Sequence, residues 1–302
     1  MTSALRAQGL TKDYGSGHGL FDLDLEVEAG EIFGYLGPNG AGKTTTIRLL
    51  MELITAARGS AEILGMDVWA SAVPLKRILG YVPGELPDFG SLRGRDLVAY
   101  IGGLRGSVDH DRVNAIAGRF DLDLTRRFRE YSRGNKQKLA IVLAFMHEPR
   151  VLILDEPTGG LDPLNQQTFY DMVREARARG ATVFLSSHVL SEVEHVCDRV
   201  GIIRDGRLVR IARLDELHEM RVHHVEAVYR GRSPAAGLRG LDECEDLTEE
   251  DQRVRFTVRG AFASVLAVLG QHDIVSLTSR EPSLEEVFLA YYGEQAPAPP
   301  SP

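Results

Sequence analysis

Cysteine is nearly absent from the 302-residue chain, with Cys197 and Cys244 its only two. Thiols so few and so far apart exclude a disulfide scaffold and a cysteine-rich zinc site, leaving two partly buried thiols in a reducing compartment as the expectation. Long apolar runs are missing as well. The longest, such as Leu139–Met146, fall far short of the roughly 18 to 20 residues of a membrane-crossing helix. Positive charge is not in excess: 35 basic against 43 acidic residues give a net charge of −8, which excludes a global pull toward nucleic acid or an anionic membrane surface. The opening MTSALRAQGL lacks the apolar stretch of a secretion signal, so a cytoplasmic location is expected. What remains, 43% hydrophobic and 26% charged residues, is the composition of an ordinary globular protein.

Three textures follow one another along the chain. Residues 1–215 are dense in strand-turn-helix signals, 220–293 form a shorter alternating stretch, and 294–302 are an Ala/Pro/Ser tail expected to be disordered. In the first stretch, Glu31–Leu36, Val151–Leu154 and Ala181–Leu185 are short apolar runs of the kind buried on both sheet faces. Helical stretches are expected from Gly42 to about Leu53 and from Pro163 to about Arg179. The alternation predicts an α/β fold with a parallel sheet between helices. Residues 88–140 carry no such runs and are expected to be a helical insertion. The second stretch predicts a small α+β domain. Its expected strands lie at His224–Tyr229, near Glu245, at Arg253–Val258 and at Ile274–Thr278, with helices at Ala261–Leu269 and Ser283–Tyr291. His223 and His224 have no further ligand cluster in the sequence and are expected to be a solvated strand start rather than a metal site.

The chemistry-bearing motifs lie at the ends of these runs. Gly37-Pro38-Asn39-Gly40-Ala41-Gly42-Lys43-Thr44 matches G-x-x-x-x-G-K-[ST] between an apolar strand and a helix, the context this phosphate-binding loop requires. Its glycines let backbone N–H groups point at a phosphate, and the helix N-terminus adds its positive end. Lys43 is placed to bridge the β- and γ-phosphates, Thr44 to put its hydroxyl on Mg²⁺, and Thr45 completes the nucleotide-binding set. The strand Val151–Leu154 ends in Asp155 and Glu156. A carboxylate at the rim of a core is costly unless it is paired or meets a cation. Asp155 is therefore expected to hold Mg²⁺ and Glu156 to orient or deprotonate an attacking water.

Further motifs come in a telling order: Tyr131-Ser132-Arg133-Gly134-Asn135-Lys136-Gln137-Lys138 before the acidic strand, Pro157-Thr-Gly-Gly-Leu-Asp162 after it, and Ser186-Ser187-His188 closing the next strand. Together they resemble the nucleotide-binding subunit of an ABC transporter over roughly Leu5–Arg213, with the P-loop ATPase core and helical subdomain of that family. The resemblance implies an ATP-hydrolysing enzyme with ATP and Mg²⁺ as cofactors. It also implies a second copy of the chain as partner, two ATP molecules being sandwiched head to tail. Carried over by position, Tyr14 stacks on adenine from a loop. Ser132, Gly134 and Asn135 face the other subunit's nucleotide, Asp162 links the two sites, and His188 contacts the γ-phosphate, joining Lys43 and Glu156 in the catalytic set.

Four positions, in two motifs, depart from the family pattern. The usual signature is Leu-Ser-Gly-Gly-Gln, against Tyr131-Ser132-Arg133-Gly134-Asn135 here. Gly84 stands where a glutamine normally touches Mg²⁺ and water, so Glu85 or a water is expected to substitute. The close of the chain, Glu281–Leu289, resembles that of ATPases that serve export-type permeases of the ABC-2, drug-resistance kind. With no apolar run long enough to span, the permease is expected to be a separate membrane polypeptide, holding this chain peripherally on the inner face of the cell membrane. The basic cluster Arg126, Arg127, Arg129, Arg133, Lys136 and Lys138 leaves an alternative open, a soluble ABC-type ATPase acting on nucleic acid or ribosomes. It overlaps the signature loop, however, so no nucleic-acid partner is expected.

Overall fold

A computed structural model describes residues 3–214, 222–260 and 262–280. The backbone separates into two compact units, divided between Arg213 and Leu214. In the first, six strands form one sheet: β3 (Ile32–Leu36), β6 (Leu79–Val82), β7 (Val151–Asp155), β8 (Thr182–Ser187), β9 (Arg199–Arg204) and β10 (Arg207–Arg213). Their spatial order is β10-β9-β3-β8-β7-β6. All neighbours are parallel except the antiparallel edge strand β10. Every residue of β3, β7 and β8 is buried, as continuous Val/Ile/Leu/Phe runs in a parallel sheet must be. The expected α/β core is therefore present. The phenyl ring of Phe184 stacks on Phe33 and tilts against Tyr35 at its centre. Phe184 is 0% exposed, so Phe184→Ala is expected to cost about 3–5 kcal/mol in a denaturant titration.

A second sheet, antiparallel, is built from β1 (Ser3–Gly15), β2 (His18–Glu28), β4 (Arg58–Ile63) and β5 (Met66–Asp67) in the order β2-β1-β4-β5. Its buried residues, Leu5, Leu10, Leu23 and Ile63 among them, share one apolar core with α1 (Lys43–Leu50) and with Tyr35 and Phe184. That helix is shorter than expected. It stops at Leu50, and Glu52 turns away with φ +54°. After α2 (Ala72–Ile78) and β6, the helical insertion appears as α3 (Gly94–Arg105), α4 (His110–Arg119), a 3₁₀ turn at Phe128–Glu130 and α5 (Arg133–Phe145). Two more helices, α6 (Pro163–Ala178) and α7 (Leu190–Val196), follow β7 and β8.

The second unit runs β11 (Val222–Arg230), α8 (Ala235–Leu238), β12 (Cys244–Glu250), β13 (Arg253–Arg259), α9 (Ala263–Leu269) and β14 (Asp273–Arg280). Its antiparallel sheet has the order β12-β13-β11-β14, the β-α-β-β-α-β arrangement of a ferredoxin-like motif. Val225, Ala227, Tyr229, Val254, Phe256 and Val258 pack against Leu238, Val265 and Leu269. They alternate with exposed or half-exposed His224, Glu226, Arg253 and Arg255, so the other sheet face is polar. His223 lies edge-on to Phe262, and no cluster of three metal-ligating side chains occurs among the described residues. Both cysteines are free. Cys197 is fully buried and Cys244 half-buried, and burial pushes both thiols upward in pKa. The expected helix at Ser283–Tyr291, the Glu281–Leu289 motif and the tail at 294–302 lie outside the described residues. Among the described residues no helix is long and apolar enough to cross a membrane.

Candidate functional site

The site assembles where the parallel strands β3, β7 and β8 end. From Leu36 the chain enters the loop Gly37–Gly42 and turns into α1 at Lys43. Gly37 cannot be replaced without moving the backbone, since a Cβ there would lie 2.3 Å from the Ile203 carbonyl oxygen. Gly42 sits at φ +108°, as the N-cap of α1, a conformation that glycine adopts at no steric cost. Pro38, Asn39 and Gly40 are exposed at the loop tip, and Ala41 is buried behind them. Lys43 folds back over the loop. Its ammonium group donates to the carbonyls of Gly37 at 2.7 Å and Pro38 at 3.1 Å. Thr44 and Thr45 follow in the first turn, exposed and half-buried respectively.

Asp155 closes β7 at 2% exposure. It accepts a hydrogen bond from the Ser186 hydroxyl at 2.6 Å, which satisfies one carboxylate oxygen of a buried acid. Glu156 leaves the strand at φ +47°, a left-handed conformation costing on the order of 1 kcal/mol in a non-glycine residue. Its carboxylate is bracketed, with Oε1 3.3 Å from Lys43 Nζ and Oε2 3.1 Å from His188 Nδ1. Thus Lys43, Glu156 and His188, from three separate motifs, meet at one point.

A cleft of about 350 Å³ opens beside them, lined by Thr44, Arg48, Tyr81, Gly84, Glu85, Asp155 and Glu156. Burial, with the nearby Asp155 carboxylate, pushes the Tyr81 phenol up to about 12. A Cβ on Gly84 would come 3.4 Å from Asp155 Oδ2. A longer side chain at this position would therefore start toward the acidic strand end, and glycine leaves that space open. Glu85 lines the same cleft. Gly84 and Glu85 also border a second cavity of about 500 Å³ with Leu86, Arg133, Lys136 and Gln137. Two of the positions that depart from the family pattern, Gly84 and Arg133, thus face one space.

Ser132, Gly134 and Asn135 do not line the first cleft. They begin α5, where the Ser132 hydroxyl caps the helix by accepting from the Asn135 N–H at 3.2 Å. Gly134 approaches so closely that a Cβ would lie 2.6 Å from the Gly160 carbonyl oxygen. Asp162 is exposed and caps α6, accepting from the Asn165 N–H at 3.0 Å. That N–H and the Asn165 side-chain amide hold its carboxyl below the usual range. Tyr14 corrects an expectation. It lies in the last turnward residues of β1 rather than in a loop, with a 54% exposed ring and the Lys12 ammonium 5.6 Å from the ring centre. Ser186 and Thr158 lie within motifs that assign them no role, and Arg48, Tyr81 and Glu192 carry no motif signal.

A glycine loop between a buried strand and a helix, a buried lysine over it and an acidic strand end within reach of that lysine define a P-loop nucleotide-binding site. Residues 20–159 match the family model described as ABC transporter. The bacitracin transport ATP-binding protein BcrA of Bacillus licheniformis is 33% identical, over 97% of this chain and 98% of that protein. The Nod factor export ATP-binding protein I of Cupriavidus pinatubonensis is 32% identical over 98% and 92% respectively. A solved ATP-binding subunit of an ABC transporter superposes with a TM-score of 0.67 and 30% identity, covering 71% of this chain and 92% of that one. The chain belongs to the ABC transporter family, as an ATP-binding subunit that hydrolyses ATP.

Proposed function

We propose that the chain powers a separate transmembrane permease, in the direction of export, from the inner face of the cell membrane. Full-length similarity to ATP-binding proteins named for bacitracin transport and Nod factor export supports this reading. The first unit is the nucleotide-binding domain, with a helical subdomain at about 88–140, and residues 220–293 are an accessory domain. The observation that carries the hydrolytic assignment is the Glu156 carboxylate held between Lys43 and His188. Glu156 accepts the proton of the attacking water, His188 orients Glu156 and faces the terminal phosphate, and Lys43 meets the β- and γ-phosphates with Gly37–Thr45. Two copies close on nucleotide, each presenting Ser132, Gly134 and Asn135 to the other's site, with Asp162 between the sites and Tyr14 against adenine.

The donor set suits Mg²⁺ rather than a metal caged by protein alone. Thr44 and Asp155 offer one hydroxyl and one carboxylate at an open cleft, and Mg²⁺ is usually held by one or two carboxylates together with substrate phosphates. When bound, the ion neutralises charge developing on the phosphates. Glu85, which lines that cleft, or a water stands in for the side chain that Gly84 lacks. Glu85→Ala is therefore expected to raise the Mg²⁺ concentration giving half-maximal ATPase rate several-fold. An unchanged Mg²⁺ curve and rate would remove Glu85 from the metal site.

The coupling to transport is tested by tagging the chain in its native cell, solubilising membranes gently and identifying what copurifies. A stoichiometric polytopic membrane protein is the expected result. Recovery with ribosomes or nucleic acid, free of any membrane protein, would transfer the assignment to a soluble ATPase.

A further inference from the structure

Glu192 lies in the first turn of α7, outside every motif that defines the site. Its two carboxylate oxygens serve two different loops. Oε1 accepts from the Thr158 hydroxyl and Oε2 from the Ser187 hydroxyl, both at 2.5 Å. Thr158 is two residues beyond Glu156, and Ser187 immediately precedes His188. Both hydroxyl-bearing residues are buried, at 5% and 1% exposure. The Ser187 oxygen also accepts from the Val189 N–H at 2.9 Å, so the residues on either side of His188 are pinned together. A carboxylate that only favoured the positive end of α7 would need its charge alone. Here it is spent on charge-assisted hydrogen bonds to both loops, which are short and directional.

We infer that Glu192 is a positioning residue that sets the separation between Glu156 and His188. It clamps the loop after β7 to the loop after β8, so that the 3.1 Å contact between the two side chains is held in place. A displacement of a catalytic group by about 1 Å costs on the order of a hundredfold in rate, so a loosened clamp acts on turnover before it acts on binding. The inference rests on the assignment of Glu156 and His188 to the hydrolytic step.

The test compares Glu192→Gln, Glu192→Ala and Thr158→Val/Ser187→Ala with the parent. Steady-state ATPase, equilibrium binding of a fluorescent ATP analogue and thermal melting are measured on each, beside Glu156→Gln. Glu192→Gln keeps the shape but leaves one acceptor oxygen for two hydroxyls, and is expected to lower kcat about tenfold with the analogue Kd within about twofold. The Thr158→Val/Ser187→Ala protein should lose as much, and adding Glu192→Gln to it should cost nothing more, because the three residues form one unit. A parental kcat in Glu192→Gln, fully additive losses, or a kcat that falls only as far as binding and melting temperature fall would each overturn the clamp. If Glu156→Gln itself turned over ATP at the parental rate, the failure would lie in the assignment of the hydrolytic residues instead.

Discussion

Replacement of Glu156 by glutamine is expected to lower ATP turnover by about 10²–10⁴-fold, the range general-base catalysis contributes, while nucleotide binding persists. The substitution is nearly isosteric and removes only charge and basicity. The amide can still reach the Lys43 ammonium and the His188 ring, whose distances of 3.3 Å and 3.1 Å are within reach of a neutral partner. The backbone at φ +47° is unaltered, since glutamine meets the same steric limits as glutamate. Loss of the proton acceptor therefore acts on the chemical step alone, and a nucleotide-bound dimer should accumulate. Single-turnover hydrolysis together with size-exclusion chromatography in ATP checks both parts. A parental single-turnover rate would remove Glu156 from the role of base.

Lys43→Ala is expected to act one step earlier, on binding. Hydrogen bonds made by a charged group contribute about 1.5–3 kcal/mol, which corresponds to a roughly 10- to 100-fold weaker affinity for ATP if a phosphate contact is lost. The loop also loses its internal brace. In the parent the ammonium group holds the Gly37 and Pro38 carbonyls at 2.7 and 3.1 Å, and in the variant Glu156 loses its cation. Titration with a fluorescent ATP analogue reads the affinity, and circular dichroism confirms that the fold survives. Unaltered affinity in a folded protein would place the phosphates elsewhere.

The parts of this architecture that are local in sequence could be read directly. β3, β7 and β8 are continuous apolar runs because both sheet faces are covered, and the phosphate loop and acidic strand end follow from short spacings, whereas the role of His188 is what the family resemblance implies. The antiparallel sheet around β1 was not legible. Its pairing with β2 slips at Ala7/Leu10 and Leu10/Lys12, and each slip breaks the two-residue alternation that marks a strand. The four-residue α8, Ala235–Leu238, is too short to show a helical period. In β12 the sequence CEDLTEE offers little apolar signal, so only a strand near Glu245 was anticipated. α1 was expected to reach about Leu53 because Met51 and Leu53 extend its apolar pattern, but the backbone turns at Glu52. At the site, the supporting hydroxyls escaped for a different reason. Ser186 and Asp155 are 31 residues apart, and Thr158 and Glu192 are 34 apart. Only the neighbouring positions of β7 and β8 in the sheet bring such pairs together.

The brace over the phosphate loop bears on how the site meets a phosphate. A lysine side chain free in solvent loses up to about 1.5–2 kcal/mol of rotamer entropy when it is fixed. Lys43 is already 5% exposed and held by two carbonyls and Glu156. Folding therefore meets that ordering cost, along with the removal of the ammonium group from water, within the protein itself. An incoming phosphate exchanges one oxygen partner for another at a preorganised cation. Affinity then scales with the difference between those partners rather than with the cost of building the cation's berth.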